Sequence, residues 1–124
     1  MFITEPELHL GGNVVVPDIA GWHADRYGDV ADNRAFHTLA PDGCCEILSP
    51  GSRGRDRVLK SRIYAREGLG FYWVVDPIEC ELEAFERLDS GQWALVGVFD
   101  GNGAVRVRPF DAVDLELGRI WGRE

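Results

Sequence analysis

Reading from the N-terminus, the first uninterrupted apolar run is Val14-Val15-Val16. It predicts a strand that stops at Pro17, which lacks the amide a central strand needs. Gly21 to Pro41 is polar, with scattered Gly, Asp and Asn and weak periodicity, and predicts a long loop with at most one helical turn. Cys44 to Leu48 reads as a short apolar strand broken by one charge, Glu46. Ser49-Pro50-Gly51-Ser52 has strong turn chemistry. From Arg55 to Glu67 the period becomes helical, with Leu59 and Ile63 on one face and Gly68 placed to end the helix in the left-handed region. Phe71 to Val75 is an apolar strand closed by Asp76-Pro77. Glu81 to Leu88 alternates, with Leu82, Ala84 and Leu88 on one side and Glu81, Glu83 and Arg87 on the other. Turns at Asp89-Ser90-Gly91 and Asp100-Gly101-Asn102-Gly103 bracket a strand over Trp93 to Phe99. Ala104 to Val107 is the last clear strand, and Leu115 to Trp121 predicts a short terminal helix.

One helix between two apolar strands implies a right-handed crossover, and the strands after it an antiparallel meander. The predicted fold class is therefore α+β, with a mixed, twisted sheet. At 124 residues and 45% apolar content the chain suits a single domain over residues 1–124 with one core. No run approaches the ~20 apolar residues of a membrane span. Met1 to Leu10 carries Glu5, Glu7 and His9 and does not read as a secretion signal, so a cytoplasmic location is expected.

Cysteine usage agrees with that compartment. Cys44 and Cys45 are adjacent in a predicted strand and should face opposite ways, and Cys80 stands alone. An odd count without metal-ligand spacing argues against a disulfide framework and a zinc site. The net charge of −8 is unfavourable for gripping phosphates. Its distribution matters more than its sum. Six of the thirteen basic residues, Arg53, Arg55, Arg57, Lys60, Arg62 and Arg66, crowd one stretch, either as a solvated loop and helix face or as a phosphate-binding patch.

The candidate chemistry gathers around that stretch. Asp18 follows Pro17 at a strand end, and Glu46 sits mid-strand among apolar neighbours, where a carboxylate is costly unless something neutralises it. A salt bridge to a nearby arginine would do so. A divalent cation held by two carboxylates, with waters and a substrate phosphate around it, would do so equally well. Lys60 lies one turn beyond Asp56 in the helix that follows the Glu46 strand. A helix packed back on that strand can aim a long side chain at its carboxyl end; the plainer alternative is a surface partner of Asp56. Two acids and a lysine around one phosphate form a workable hydrolytic site. His9, His23 and His37 have no ligand spacing and are expected at the surface. Asp76 before Pro77 is expected to cap a turn, and Trp22, Trp73, Trp93 and Trp121 to fill the core or an interface.

Several of these motifs occur together as Pro17-Asp18-Ile19-Ala20-Gly21-Trp22, Pro41-Asp42, Cys45-Glu46-Ile47-Leu48-Ser49-Pro50, Asp56 and Lys60 with Tyr64 and Gly68, and Tyr72-Trp73-Val74-Val75-Asp76-Pro77. In that order the chain resembles the Uma-two family of restriction endonucleases, over roughly Glu5 to Trp121. The resemblance implies a restriction-endonuclease-like core of the PD-(D/E)xK superfamily. It also implies a metal-dependent endonuclease that hydrolyses DNA phosphodiester bonds. Asp18 and Glu46 would hold Mg²⁺ (or Mn²⁺), with the Ile47 carbonyl as a third ligand, and Lys60 would assist the attacking water or the phosphate. The superfamily signature places its lysine two residues after the second acid, where this chain has Leu48; the family pattern takes it from the following helix, where Lys60 stands. Arg53, Arg55 and Arg57 are the expected nucleic-acid contacts. Family members usually carry further residues upstream, so the N-terminal part of the family fold is expected to be missing here. The alternative is a catalytically inactive nuclease-fold domain serving as a scaffold or interaction module. Exposed sheet edges and four tryptophans predict a homodimer or higher homo-oligomer.

Overall fold

The structure is a computed structural model. It describes residues 1–27, 35–49, 54–111 and 113–122, and of Arg55 the backbone only. Ten strands and three helices follow one another in the described residues. The first four strands are short: β1 (Phe2–Thr4), β2 (Leu8–Leu10), β3 (Asn13–Val15) and β4 (Ile19–Gly21). A single helical turn, α1 (Ala24–Tyr27), precedes β5 (Gly43–Ile47), the long helix α2 (Arg55–Arg66) and β6 (Phe71–Asp76). Then come β7 (Glu81–Arg87), β8 (Trp93–Asp100), β9 (Ala104–Val105), β10 (Leu115–Glu116) and α3 (Leu117–Ile120).

Six strands form one sheet in the order β1-β4-β5-β6-β7-β8. Only β5 and β6 run parallel, with Glu46 opposite Val74, and α2 is the crossover between them. Every other pairing in this sheet is antiparallel. Two small ribbons, β2-β3 and β9-β10, complete the architecture. The fold is thus the expected α+β arrangement with a mixed sheet.

Both faces of the sheet are covered, which explains why β5 reads as an apolar run rather than an alternation. On the α2 face, Cys44, Tyr72 and Val74 pack with Tyr64, Leu69 and Trp22. On the other face, Cys45, Val75, Leu82 and Ala84 pack with Val107, Leu117 and Trp121. The two adjacent cysteines therefore belong to different cores. Gly68 takes φ +86° at the end of α2, as its position required. Asp76 caps its turn: its Oδ1 accepts the Ile78 and Glu79 amides, each at 3.1 Å.

Several sequence expectations need correction. Leu59 does not face the core; it is 46% exposed, while Tyr64 is fully buried and Ala65 nearly so. The burial stripe of α2 follows Lys60, Ser61, Tyr64 and Ala65, because the helix is fixed by the Tyr64 ring and the tie from Arg87 Nε to the Ala65 carbonyl (2.6 Å). Leu88 lies beyond β7 and is 47% exposed, since its amide already closes the turn by donating to Gln92 O. His37 is buried, drawn in as its amide donates to Glu7 O and its carbonyl accepts from His9 N. The stretch read as one loop from Gly21 onward follows a strand, β4, which pairs with both β1 and β5. Leu115 and Glu116 form a strand rather than the start of the last helix.

Candidate metal centre

Pro17 ends the strand run, and Asp18 stands one residue before β4. Because Ile19 pairs with Cys45 in the antiparallel β4-β5 ladder, Asp18 arrives beside Glu46. The two residues interlock. Asp18 Oδ2 accepts the Ile47 amide at 2.6 Å, and the Asp18 amide lies 3.3 Å from Glu46 Oε1. Backbone donors thus position both carboxylates at the end of the two strands.

Lys60 reaches them from α2. Its Nζ donates to the Val16 carbonyl at 3.0 Å and lies 3.3 Å from Glu46 Oε2, while Asp56 is further away at 3.9 Å. The lysine therefore turns inward, with its stem along the helix border and its ammonium at the carboxylates. Tyr64, one turn further on the same helix face, donates its hydroxyl to Glu46 Oε1 at 3.4 Å. Sequence reasoning gave Tyr64 no contact with the acids. Its signal was its i,i+4 spacing from Lys60, which puts both side chains over one strand.

Burial raises the Glu46 carboxyl above its ordinary value; Lys60 pulls it back and the Asp18 charge pushes it further up. Their own burial lifts the Cys45 thiol to about 12 and raises Cys44 well above its usual range, which disfavours the thiolate form in both.

Residues 1–118 match the sequence profile of Uma2, a family described as "Putative restriction endonuclease". The chain belongs to the Uma2 family. A crystal structure from Anabaena variabilis, titled as a putative nuclease belonging to DUF820, has the same fold, with a TM-score of 0.72 at 24% identity. That superposition covers 98% of this chain and 67% of the other. No curated protein matches the chain.

Within this Uma2 chain the structure brings Asp18, Glu46, Ile47 and Lys60 together. Arg53 and the Arg55 side chain lie outside the described residues. Arg57 is partly exposed beside Glu83, at 3.6 Å. Among the described residues no cluster of three His, Cys, Asp or Glu side chains could hold a metal ion. Any cation here would rest on two carboxylates and oxygen donors of other kinds. That set fits Mg²⁺ or Mn²⁺, which accept hard oxygen ligands and retain several waters. No helix among the described residues is long and apolar enough to cross a membrane.

Proposed function

We propose that this Uma2 protein is a metal-dependent endonuclease hydrolysing DNA phosphodiester bonds in a PD-(D/E)xK-type site. The observation that carries this reading is the meeting of Lys60 Nζ with Glu46 Oε2 at 3.3 Å, where Asp18 closes the same strand end. Asp18 and Glu46 would hold Mg²⁺ or Mn²⁺. In a strand the N–H and C=O of one residue point the same way. The Ile47 carbonyl therefore faces the side from which its amide reaches Asp18, and suits the place of a third ligand. When bound, the cation supplies a more acidic water and offsets charge on the phosphate.

The chain's own groups do the rest. Glu46 and Asp18 are anchored by backbone amides, so they need little rearrangement to take a cation. Lys60 is held by a carbonyl and a carboxylate, which leaves its ammonium a further donor for the attacking water or a phosphate oxygen. Tyr64 braces Glu46 from the buried side.

The test is Mg²⁺-dependent nicking of supercoiled plasmid. Asp18→Asn, Glu46→Gln and Lys60→Met should each reduce it by at least about 100-fold, the scale of removing one charge-stabilising group, with circular dichroism unchanged. Wild-type rates in any of the three would remove that residue from the mechanism. The net charge of −8 favours a second reading, an inactive nuclease-fold scaffold. In that case Mn²⁺ would not raise the melting temperature in a manner that depends on Asp18 and Glu46.

A further inference from the structure

Beside the carboxylate pair, on the same face of the sheet, α2 and the β6-β7-β8 strands enclose a cleft of about 340 Å³. Its lining includes Arg57, Ser61, Tyr72, Phe85 and Trp93. Four observations mark it as built to receive something. Tyr72 is only 2% exposed, and its hydroxyl makes no well-formed hydrogen bond among the described residues, with the Arg57 guanidinium as its charged neighbour. A buried hydroxyl without a good hydrogen bond is costly, and a polar ligand group arriving beside Arg57 would relieve that cost. Tyr72 packs against Phe85 and Trp93 with ring centroids 5.7 and 5.5 Å away, so the walls are aromatic faces. Trp93 is locked in place by its Nε1 bond to the Ser61 carbonyl at 2.9 Å. Arg57 stands at the cleft between the Tyr72 hydroxyl, whose ionised form it favours, and Glu83, the latter at 3.6 Å.

The cleft adjoins the candidate metal centre. Arg57 precedes Lys60 by three residues on one helix, less than a full turn. The Tyr64 ring, whose hydroxyl meets Glu46, lies 5.9 Å from the Tyr72 ring. Ser61 and Trp93 are shared with a second cleft of about 310 Å³, flanked by Arg62 and Arg66. A basic strip interrupted by a rigid indole therefore runs along α2, within a molecule whose net charge is −8.

We propose that this cleft is a nucleotide subsite that takes one unstacked nucleotide of the DNA strand next to the scissile phosphate. Aromatic walls stack a base whatever its identity, a guanidinium takes the adjoining phosphate, and a buried hydroxyl bonds the base edge or sugar. Glu83 is the charge opposing this arrangement, and a phosphate would draw Arg57 away from it. The assignment rests on the nuclease reading for its neighbour, although its own test needs no cleavage.

That test is binding of a short fluorescein-labelled oligothymidine to the full chain, measured by anisotropy at low salt without metal. Tyr72→Phe is the decisive variant, because it keeps the ring packing and removes a hydroxyl that makes no well-formed hydrogen bond and has Arg57 as its charged neighbour. It should weaken binding about fivefold, the scale of one hydrogen bond, with the melting temperature unchanged or higher. Arg57→Gln should weaken binding and flatten its salt dependence. In plasmid cleavage, Tyr72→Phe should raise KM and leave kcat near wild type. Binding that depends on Tyr72 in a protein that cuts nothing would uphold the subsite and defeat the nuclease reading. Cleavage that requires Glu46 and Lys60 while Tyr72→Phe keeps wild-type affinity and KM would overturn the subsite alone, as would the absence of oligothymidine binding.

Discussion

Glu46 is held by three neighbours of different character: the Lys60 ammonium, the Tyr64 hydroxyl and the Asp18 amide. Its burial still dominates, so the folded protein holds the Glu46 proton more tightly than the unfolded chain does. The linkage sign follows. As pH rises from the ordinary glutamate range through the raised value, the folded state loses a proton it had favoured, and Glu46 contributes progressively less stability. Glu46→Gln should therefore remove a contribution that falls with pH and steepen the rise of urea midpoint with pH across that window. A cation reverses the preference, because it binds the carboxylate. Stabilisation by Mn²⁺ should be weak below the raised Glu46 value and grow as pH climbs past it; a pH-independent Mn²⁺ shift would place the ion elsewhere. The acids themselves were legible in the sequence, because a carboxylate inside Cys44–Leu48 contradicts its surroundings. Tyr64 was not legible as their partner, since a tyrosine in a helix is equally at home in any core.

At the scale of elements, the crossover unit β5-α2-β6 positions Lys60. Its order and approximate limits could be read from turn residues and from Gly68, but the rotation of α2 could not. Leu59 and Ile63 define a stripe by hydropathy, whereas Tyr64 and Ala65 are what the sheet buries. An aromatic ring fills more of the space over Tyr72 and Val74 than a leucine does, and packing overrides the weaker apolar pattern. Urea denaturation would separate the two: Leu59→Ser should shift stability by no more than about 0.5 kcal/mol, and Tyr64→Ala should cost about 3–5 kcal/mol. The N-terminal strands escaped sequence reading for a different reason. Phe2–Thr4 and Leu8–Leu10 have three residues each, too few for a period to declare itself, and their pairing depends on partners distant in sequence.

Over the whole molecule, apolar surface is unevenly distributed. A groove of about 460 Å³ opens on the sheet face away from α2, lined by Phe2, Ile19, Trp73 and Phe110 among others. Leu95, Val96 and Val98 on the edge strand β8 are each more than half exposed. An open edge with apolar side chains favours pairing with a second copy, and sedimentation at micromolar concentration should show dimers or larger species. A monomer-only profile would contradict this, and Val98→Lys should shift the distribution towards monomer. The sheet also divides the interior into two cores, and each contains one cysteine of the Cys44-Cys45 pair. Adjacent in sequence, the two thiols form a matched pair of timers. With iodoacetamide in mild urea, partly exposed Cys80 should be alkylated first. The order in which Cys44 and Cys45 follow, resolved by mass spectrometry, would reveal which layer of the molecule lets go of the sheet before the other; simultaneous labelling would mean that both layers open as one.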